Sequence, residues 1–306
     1  MKERIIFIVG PTASRKTEVA VYLAKKINGE IISCDSMQVY RCMDILTSKP
    51  APSLRRKIPH HLISAISPQK PYNVFQYRVQ AIKKVKEILK KGKTPLFVGG
   101  TGLYMSIVID GIFKLNSFDK NCRLKLENEA AASGSTALHQ RLKQVDPLAA
   151  SKIHPNDAKR IIRALEVIEV TGQPISQLQK ERKGLGDAYA INSFCLDMER
   201  GKLYQRIDER VEKMFKKGLV EEVRKLLKLR LSRTATSAIG IKELKGYFDG
   251  AYDLEEAKRL IKRSTRLYAK RQLTWFRKDK RIQWINIGAE ESAENIANKI
   301  LKKLKK

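Results

Sequence analysis

The sequence predicts an α/β protein with a parallel sheet, interrupted by a small all-helical insertion and completed by a helical C-terminal region. Up to Gly111, runs of β-branched and aromatic residues alternate with helical segments, as in a parallel sheet covered by helices. From about Asn116 to Asp187 we find no convincing strand pattern. We therefore divide the chain into a first core segment (residues 1–115), a helical insertion (116–188) and a core completion with basic helices (189–306).

Strands and helices alternate in the first core segment. Each predicted strand is a continuous apolar run, and a segment with helical character follows it. Because the carboxyl ends of parallel strands meet at one edge of a sheet, we expect a ligand site there. The predicted strands are Arg4–Val9, Glu30–Cys34 and Pro95–Val98, and the predicted helices are Glu18–Ile27, Val74–Lys91 and Leu103–Ile109.

The remainder of the chain is predicted to be mainly helical. In the insertion, Ile161, Leu165 and Ile168 have helical spacing after the candidate cap residues Asn156 and Asp157. The run from Ala190 to Leu196 predicts a return to the sheet. From Leu203 onward we expect mostly helix, with breaks at Gly218, Gly240, Gly246 and Gly250.

The charge balance points to a polyanionic partner. The 306 residues include 62 Lys and Arg but only 32 Asp and Glu, which gives a formal net charge of +30. A merely solvated surface would carry both signs in similar numbers, so nucleic acid is the expected partner. The 42% hydrophobic content is sufficient for a buried core and excludes disorder as the dominant state.

The four cysteines and the N-terminal residues indicate the cellular compartment of the protein. Cys34, Cys42, Cys122 and Cys195 show neither a CxxC pair nor a neighbouring histidine pattern, so the sequence supports no zinc site and no disulfide framework. The first apolar run is too short for a signal segment, and no run approaches the ~18 apolar residues of a membrane helix. We therefore expect a cytoplasmic protein that does not enter the membrane.

Gly10 to Thr17, with the sequence GPTASRKT, has the position and residue types of a phosphate loop. It follows a strand, opens a helix and offers backbone N–H groups, Lys16 and Thr17 to a phosphate and Mg²⁺. The fold class is therefore a P-loop NTPase-like core. Arg15 departs from the pattern G-x-x-x-x-G-K-[ST], which has glycine at this position.

Asp35 is the candidate acidic group of the site. It follows the second predicted strand, whereas the strand Leu96 to Val98 ends in Gly-Gly-Thr-Gly and lacks the acidic residue expected of a nucleotide hydrolase. The residues alone leave two roles open for Asp35, which are metal ligation and proton removal.

Several long motifs extend the argument beyond single residues. They are GPTASRKT, SCDSMQVYRCMDILTSKP, PHHLIS, FVGGTGLY, KIHPNDAKRIIRALEV, RIDERVEKMFKKGLVEEV, AIGIKEL and IKRSTRLYAKRQLTWFRKD. In this order and over nearly the whole chain, the sequence resembles the tRNA dimethylallyltransferase family. The resemblance implies transfer of a dimethylallyl group from dimethylallyl diphosphate to the N6 amine of adenosine 37 in tRNA.

The resemblance also implies roles for individual residues. Asp35 would be the general base, Thr101 would bind near the reacting adenine, and Arg210, with Arg206 as a substitute, would add charge at the leaving diphosphate. Thr17 would hold Mg²⁺. The diphosphate would be bound by Gly10, Thr12, Ala13, Ser14, Arg15, Lys16 and Thr17. The tRNA would contact Asp35, Ser36, Met37, Gln38, Thr101, Arg123, Lys159, Arg160, Ile161, Ile162, Arg163, Lys242, Arg263, Arg266, Lys270, Arg271 and Arg277.

The stretch from Lys258 to Arg281 supplies a candidate RNA-binding surface. It contains eleven Lys or Arg and a single acidic residue, with Tyr268, Trp275 and Phe276 between them. The steps of four, three and four from Arg259 through Arg263 and Arg266 to Lys270 place these side chains on one helix face. We expect Trp275 and Phe276 to lie in the core rather than to stack on bases.

Three alternatives remain open from the sequence. The first is a P-loop nucleotide or nucleoside kinase, which would share the fold and the acidic residue. The second is an RNA-dependent ATPase, which the missing acidic strand end disfavours. The third is a tRNA-binding protein whose catalysis is weakened by Arg15. In each case we expect a monomer.

Overall fold

The computed structural model describes residues 2–113 and 119–305. These form two compact units, which we describe separately. The larger unit combines both ends of the chain, up to Ile109 and from Ala188, and the smaller unit runs from Asp110 to Asp187. The predicted boundary between residues 115 and 116 lies outside the described residues.

The larger unit is built on six parallel strands in the order β3-β2-β4-β1-β5-β6. The prediction of an α/β core with a parallel sheet is thereby confirmed. Strand β1 is central, and its last residue, Val9, pairs with Gly99 of β4 and Cys195 of β5. The strands are β1 (Arg4–Val9), β2 (Gly29–Ser33), β3 (His60–His61), β4 (Thr94–Gly99), β5 (Ala190–Asp197) and β6 (Ile282–Asn286).

Helices surround the sheet of the larger unit. Buried residues of β1, β4 and β5 form one apolar cluster with α1 and α14, which includes Ile8, Leu23, Leu196 and Ile300. This burial removes the apolar face of each helix from water and fixes the ends of the strands. The helices are α1 (Lys16–Lys26), α2 (Pro52–Lys57), α3 (Val74–Lys90), α4 (Gly102–Ile109), α10 (Arg200–Lys216), α11 (Leu219–Leu227), α12 (Ile241–Phe248), α13 (Leu254–Phe276) and α14 (Ala293–Leu304).

Among the described residues of the smaller unit the regular elements are all helices, and the unit has its own apolar cluster. Leu126, Leu142 and Leu165 lie in this cluster and are almost completely buried. Asp157 caps one helix through its side chain, which accepts a hydrogen bond from the N–H of Arg160 at 3.2 Å. The helices are α5 (Lys120–Val145), α6 (Pro147–Ala150), α7 (Ala158–Thr171) and α8 (Ile175–Leu178), and α9 (Leu185–Ala188) ends at the unit boundary.

In the C-terminal region, one strand was missed and one expected helix break is wrong. Strand β6 was not predicted, because Ile282–Asn286 has only alternating burial at the edge of the sheet rather than a continuous apolar run. Gly246 does not break a helix but lies inside α12. A Cβ at Gly246 would lie 2.2 Å from the Tyr252 hydroxyl, so glycine is needed there for close packing.

The loop after β2 is held in place by a carboxylate from α11. Glu222 accepts three backbone hydrogen bonds, from the N–H groups of Asp44, Ile45 and Leu46 at 3.0, 2.9 and 2.8 Å. In the same loop, Lys49 donates to the Tyr40 carbonyl at 2.5 Å. Hydrogen bonds to a charged acceptor are stronger than those between neutral groups, so these bonds fix the segment that leads away from Asp35.

Loss of the Glu222 carboxylate should therefore destabilise the larger unit. We expect Glu222→Ala to lower the free energy of unfolding by about 2–3 kcal/mol, because hydrogen bonds to a charged group are lost at several amides together. Urea unfolding measures the change. The matched control is Glu221→Ala, which removes an exposed ion pair with Arg224 and should cost less than about 0.5 kcal/mol. Equal unfolding midpoints for both variants would contradict this account.

Candidate active site

The carboxyl ends of β1, β2 and β4 bring three segments of the predicted site to one edge of the sheet. The phosphate loop follows β1, Asp35 follows β2, and the Gly99–Gly102 turn follows β4. The Thr101 N–H donates to the Cys34 carbonyl at 3.1 Å, which ties the second and third segments together. The sequence folds in this way because β4 pairs with β2 on one side and with β1 on the other.

The phosphate loop contains left-handed residues that are not glycine. Ala13 has φ 65° and Arg15 has φ 61°. This conformation costs an L-residue roughly 1–2 kcal/mol, so the surrounding structure must maintain it. The Arg15 side chain helps to maintain it through a bond outside the loop. Its Nη1 donates to the carbonyl of Glu291, just before α14, at 2.5 Å. At the start of the loop, a Cβ on Gly10 would lie 2.8 Å from the Leu196 carbonyl oxygen.

Lys16 is folded back over the loop. Its Nζ donates to the Pro11 carbonyl at 2.5 Å and lies 3.5 Å from the Ser14 hydroxyl oxygen. Burial, followed by repulsion from Arg210, lowers the pKa of Lys16 to about 8, and the Asp35 carboxylate opposes this shift. An anion bound nearby would therefore stabilise the charged form of Lys16.

Arg210 and Arg206 reach the loop from α10. Arg210 donates through Nη1 to the Thr12 hydroxyl at 3.0 Å and through Nε to the Ser48 hydroxyl at 2.8 Å. Arg206 donates to the Ala13 carbonyl at 3.2 Å. Burial lowers the pKa of Arg210 also, against the attraction of Asp35. Both arginines thus lie at the phosphate loop, the segment where the motif resemblance implies a diphosphate site.

Asp35 and Thr101 are fixed by backbone hydrogen bonds. The Asp35 Oδ1 atom accepts from the N–H groups of Met37 at 2.9 Å and Gln38 at 3.3 Å. The Thr101 hydroxyl oxygen accepts from the N–H of Ser36 at 3.0 Å. The predicted base and the predicted adenine contact are therefore held as one rigid corner.

Two site residues on α13 were missed by the sequence analysis. Gln272 is buried, and its amide bridges the phosphate loop and Gly100. Tyr268 hydrogen-bonds to Thr101, and burial followed by the Asp35 charge raises the pKa of its hydroxyl. Both lie within the basic stretch, but their partners are about 170 to 260 residues away in the sequence, so no local signal identifies them.

A cavity of about 720 Å³ joins these groups. Of the predicted residues, Thr12 to Thr17, Asp35, Gln38 and Arg210 line it. Eight Lys or Arg side chains line the cavity against four Asp or Glu, so its field favours an anion. Part of the cavity wall is apolar and includes Ile31, Ile45, Leu54 and Ile63.

The basic residues of α13 do not all have the same surroundings. Arg263, Lys270 and Arg271 are exposed, and so is Arg277 just after the helix. Arg266 instead forms an ion pair with Asp208 of α10 and stacks over Tyr204. The Arg266 side chain is thus paired within the larger unit while 39% of it remains exposed. Lys242 of α12 is exposed.

The aromatic residues at the end of α13 differ from each other. Phe276 is buried, as expected, whereas Trp275 is 39% exposed. A Cβ at Gly102 would lie 2.1 Å from the Trp275 ring, so the indole packs on the glycine backbone beside Thr101. The expectation of a core position for Trp275 is wrong, because the missing side chain at Gly102 provides a surface site for the ring.

The smaller unit carries the other predicted tRNA contacts. Lys159 and Arg160 are exposed on α7. Arg163 donates to the buried carboxylate of Glu166 at 2.8 Å, and Arg123 lies 4.0 Å from the same carboxylate. The side chains of Ile161 and Ile162 are buried in the apolar cluster of this unit, so a contact of these two residues with tRNA would have to involve their backbone.

Two further findings concern the described part of the chain. No helix in the described part of the chain combines the length and the apolar content needed to cross a bilayer. Residues 2–113 and 119–305 contain no group of three or more His, Cys, Asp or Glu side chains placed to hold a metal ion.

The sequence and structure match proteins of one family. The IPP transferase family model covers residues 38–279. A tRNA dimethylallyltransferase from Carboxydothermus hydrogenoformans is 51% identical over 98% of this chain and 97% of its own length. The same named protein from Geobacter sulfurreducens is 46% identical over 97% of both chains.

Solved structures agree with this assignment. A tRNA isopentenylpyrophosphate transferase from Bacillus halodurans is 41% identical, with a TM-score of 0.72 over 99% of this chain and 97% of that chain. A eukaryotic dimethylallyltransferase acting on tRNA is 27% identical, with a TM-score of 0.78 over 93% of this chain and 74% of that chain. The resemblance seen in the motifs is confirmed, and the chain belongs to the IPP transferase family of tRNA dimethylallyltransferases.

Proposed function

We propose that the protein transfers a dimethylallyl group from dimethylallyl diphosphate to the N6 amine of adenosine 37 in tRNA. The observation that carries the proposal is a cationic phosphate loop and a fixed carboxylate, Asp35, lining one cavity. An exocyclic amine is a weak nucleophile, so its alkylation needs both stabilisation of the leaving group and removal of a proton. Relatives named as dimethylallyltransferases of tRNA support the transfer of this group to tRNA.

The diphosphate would bind at the phosphate loop. The N terminus of α1, the Lys16 ammonium and the Arg210 guanidinium provide positive charge at this end of the cavity. Both cations have lowered pKa values, so an incoming anion restores interactions that burial removed. The attraction between these cations and the anion therefore acts at the place where negative charge develops as diphosphate leaves.

The donor set at the loop fits Mg²⁺. This cation prefers oxygen ligands, usually keeps several waters, and often bridges one or two protein groups to substrate phosphates. Thr17 and Asp35 provide a hydroxyl and a carboxylate at the cavity wall. When bound, Mg²⁺ would neutralise part of the charge on the leaving diphosphate. Thr17 is the residue that we assign to the ion.

The chemical step would be a displacement at the first carbon of the dimethylallyl group. A bond forms between N6 and this carbon, and the carbon–oxygen bond breaks with its electron pair leaving on diphosphate. The N6 proton passes to Asp35. Because Oδ1 of Asp35 already accepts two backbone hydrogen bonds, Oδ2 is the oxygen that we assign to the proton.

The exposed cations would hold tRNA through its phosphates. Arg263, Lys270 and Arg271 of α13 lie on the larger unit, and Lys159 and Arg160 lie on the smaller unit. Since phosphate contacts position RNA without reading its sequence, the adenine must be recognised at the Asp35–Thr101 corner. Extrusion of the base from the loop stack would cost roughly a few kcal/mol, which these contacts offset.

One experiment tests the reaction and its main alternative together. The protein is incubated with tRNA and dimethylallyl diphosphate, and the nucleosides are analysed by mass. We expect a single adenosine to gain one dimethylallyl group. A parallel calorimetric titration with ATP distinguishes a kinase. Tight ATP binding without any prenylated nucleoside would overturn the proposal.

Substitution of the proposed base should lower turnover and leave tRNA affinity nearly unchanged. We expect Asp35→Asn to lower kcat by about 10²- to 10⁴-fold, the usual contribution of a positioned general base, while tRNA affinity changes by only a few-fold. Single-turnover kinetics and a filter-binding titration measure the two effects. Asp249→Asn, at an exposed ion pair with Lys245, is the matched control. Near-native turnover of Asp35→Asn at saturating substrates would exclude Asp35 as the base.

The exposed cations of α13 should determine the salt dependence of tRNA binding. The double variant Arg263→Ala with Lys270→Ala should reduce the slope of log affinity against log salt by about 1.4–1.8, since each phosphate contact contributes about 0.7–0.9. Lys86→Ala with Lys90→Ala removes the same charge from α3 and is the control. If both double variants keep the wild-type slope, tRNA binds elsewhere.

Arg15 should permit activity. The backbone holds the loop shape, and the guanidinium binds the Glu291 carbonyl, so we expect the wild type to transfer the dimethylallyl group. Arg15→Gly should change KM for dimethylallyl diphosphate more than it changes the Kd for tRNA. Arg15→Ala, which removes the charge but keeps a Cβ, separates the effect of the guanidinium from that of the backbone. An inactive wild type that Arg15→Gly rescues would refute this expectation.

A further inference from the structure

One row of exposed side chains on α13 alternates between cations and apolar groups. The row consists of Arg263, Leu267, Arg271 and Trp275, which are spaced four residues apart and therefore follow one another along the helix surface. Leu267 and Trp275 are 47% and 39% exposed, and both arginines are exposed. We refer to these four residues as the α13 row. Aromatic side chains among exposed cations are the combination with which proteins bind single-stranded nucleic acids.

The indole of Trp275 is fixed beside the proposed reaction site. A Cβ on Gly102 would lie 2.1 Å from its Cδ1 atom and 2.4 Å from its Nε1 atom, so the five-membered ring packs directly on the glycine backbone. Gly102 follows Thr101, which belongs to the Asp35–Thr101 corner. The exposed part of the indole therefore lies next to the place where the adenine would enter.

The cations of the α13 row are free to bind phosphates. Arg266 of the same helix pairs with Asp208, whereas neither Arg263 nor Arg271 forms an ion pair with any residue that the structure describes. The Arg271 guanidinium instead lies 5.8 Å from the centre of the Tyr268 ring. A polyanion that approaches this surface therefore does not have to displace a carboxylate from these two arginines.

An unpaired nucleotide offers partners to both kinds of side chain in the row. Its base has an accessible π-face for an aromatic ring, and its phosphate attracts a cation. In a duplex the faces of each base are covered by the bases above and below it. Extrusion of an adenosine from the stack leaves the bases on either side of it without one stacking partner. These bases are the ones that gain most from a new aromatic partner.

We propose that Trp275 is a stacking platform for a base next to the extruded adenosine, while Arg263 and Arg271 bind the adjoining phosphates. The ligand class is an unpaired segment of RNA. The proposal rests on the proposed function for the identity of this RNA. It adds a base contact outside the reaction site, which binding to phosphates alone does not provide.

Tryptophan fluorescence tests the contact directly. The sequence contains two tryptophans, Trp275 and Trp284, so Trp284→Phe leaves Trp275 as the only tryptophan. We expect an anticodon stem-loop RNA to quench the emission of this variant, because a stacked base deactivates the excited indole. A fully paired RNA of equal length should quench it less. Unchanged emission at a saturating concentration of the stem-loop would overturn the proposal, and this measurement requires no substitution of Trp275.

Substitution of Trp275 measures what the stack contributes to affinity. Trp275→Ala should weaken binding of the stem-loop by about 5- to 100-fold, the usual effect of alanine at a base-stacking aromatic residue. The slope of log affinity against log salt should stay unchanged, since no phosphate contact is lost. Trp275→Phe keeps a π-face and should recover most of the affinity. Tyr22→Ala removes a 43% exposed aromatic side chain from α1 and is the matched control, with wild-type affinity expected.

Abasic RNAs identify the stacked base. Two stem-loops, each lacking the base immediately before or immediately after adenosine 37, are titrated with the wild type and with Trp275→Ala. One of them should bind the wild type as weakly as the intact stem-loop binds Trp275→Ala. The variant should bind that RNA no more weakly still, because the same contact is already absent. Additive losses for both RNAs would overturn the proposal.

The outcomes are distinguishable from failure of the proposed function. A wild type that prenylates tRNA, together with a folded Trp275→Ala that binds the stem-loop as tightly as the wild type, would overturn this proposal alone. A merely structural indole would lower the unfolding temperature of Trp275→Ala and leave its affinity for the stem-loop intact. A wild type that neither binds nor modifies the RNA would remove the proposed function and this proposal together.

Discussion

The larger unit holds two cations, Lys16 and Arg210, in one cavity where burial disfavours the charge of both. For Lys16, repulsion from Arg210 adds to the effect of burial. Such an arrangement persists only if each cation has other bonds. Lys16 donates to the Pro11 carbonyl, and Arg210 donates to two hydroxyl groups. The interactions that shape the phosphate loop thus also keep its positive charge in position before a substrate arrives.

The shape of the loop is imposed by its surroundings rather than by flexible residues. Ala13 and Arg15 adopt left-handed conformations that glycine would adopt at less cost. Three other segments of the chain hydrogen-bond to the loop, and these bonds offset the strain. They contribute Arg206 and Arg210 from α10, Gln272 from α13, and the Glu291 carbonyl just before α14. A non-glycine residue at position 15 is compatible with the fold because its side chain finds a partner outside the cavity.

Sequence patterns predicted those parts of the protein that depend on residues close together in the chain. Continuous apolar runs identified β1, β2, β4 and β5, and the strand-loop-helix order identified the phosphate loop. Strand β6 was missed because an edge strand buries only part of its residues. Gln272 and Tyr268 were missed because their roles depend on contacts with distant segments. Ile161 and Ile162 are buried because they lie on the apolar face of α7, and similarity to a motif does not take this helical periodicity into account.

The position of β1 in the middle of the sheet has a consequence for how the protein is made. Its two neighbours are β4, which ends at residue 99, and β5, which begins at residue 190. A ribosome releases the N terminus first, so β1 and its loop emerge long before β5 and Gln272 are synthesised. The strained loop can reach its final shape only near the end of translation. Contacts of such long sequence separation slow folding, and a nascent chain arrested before α13 would lack a finished anion site.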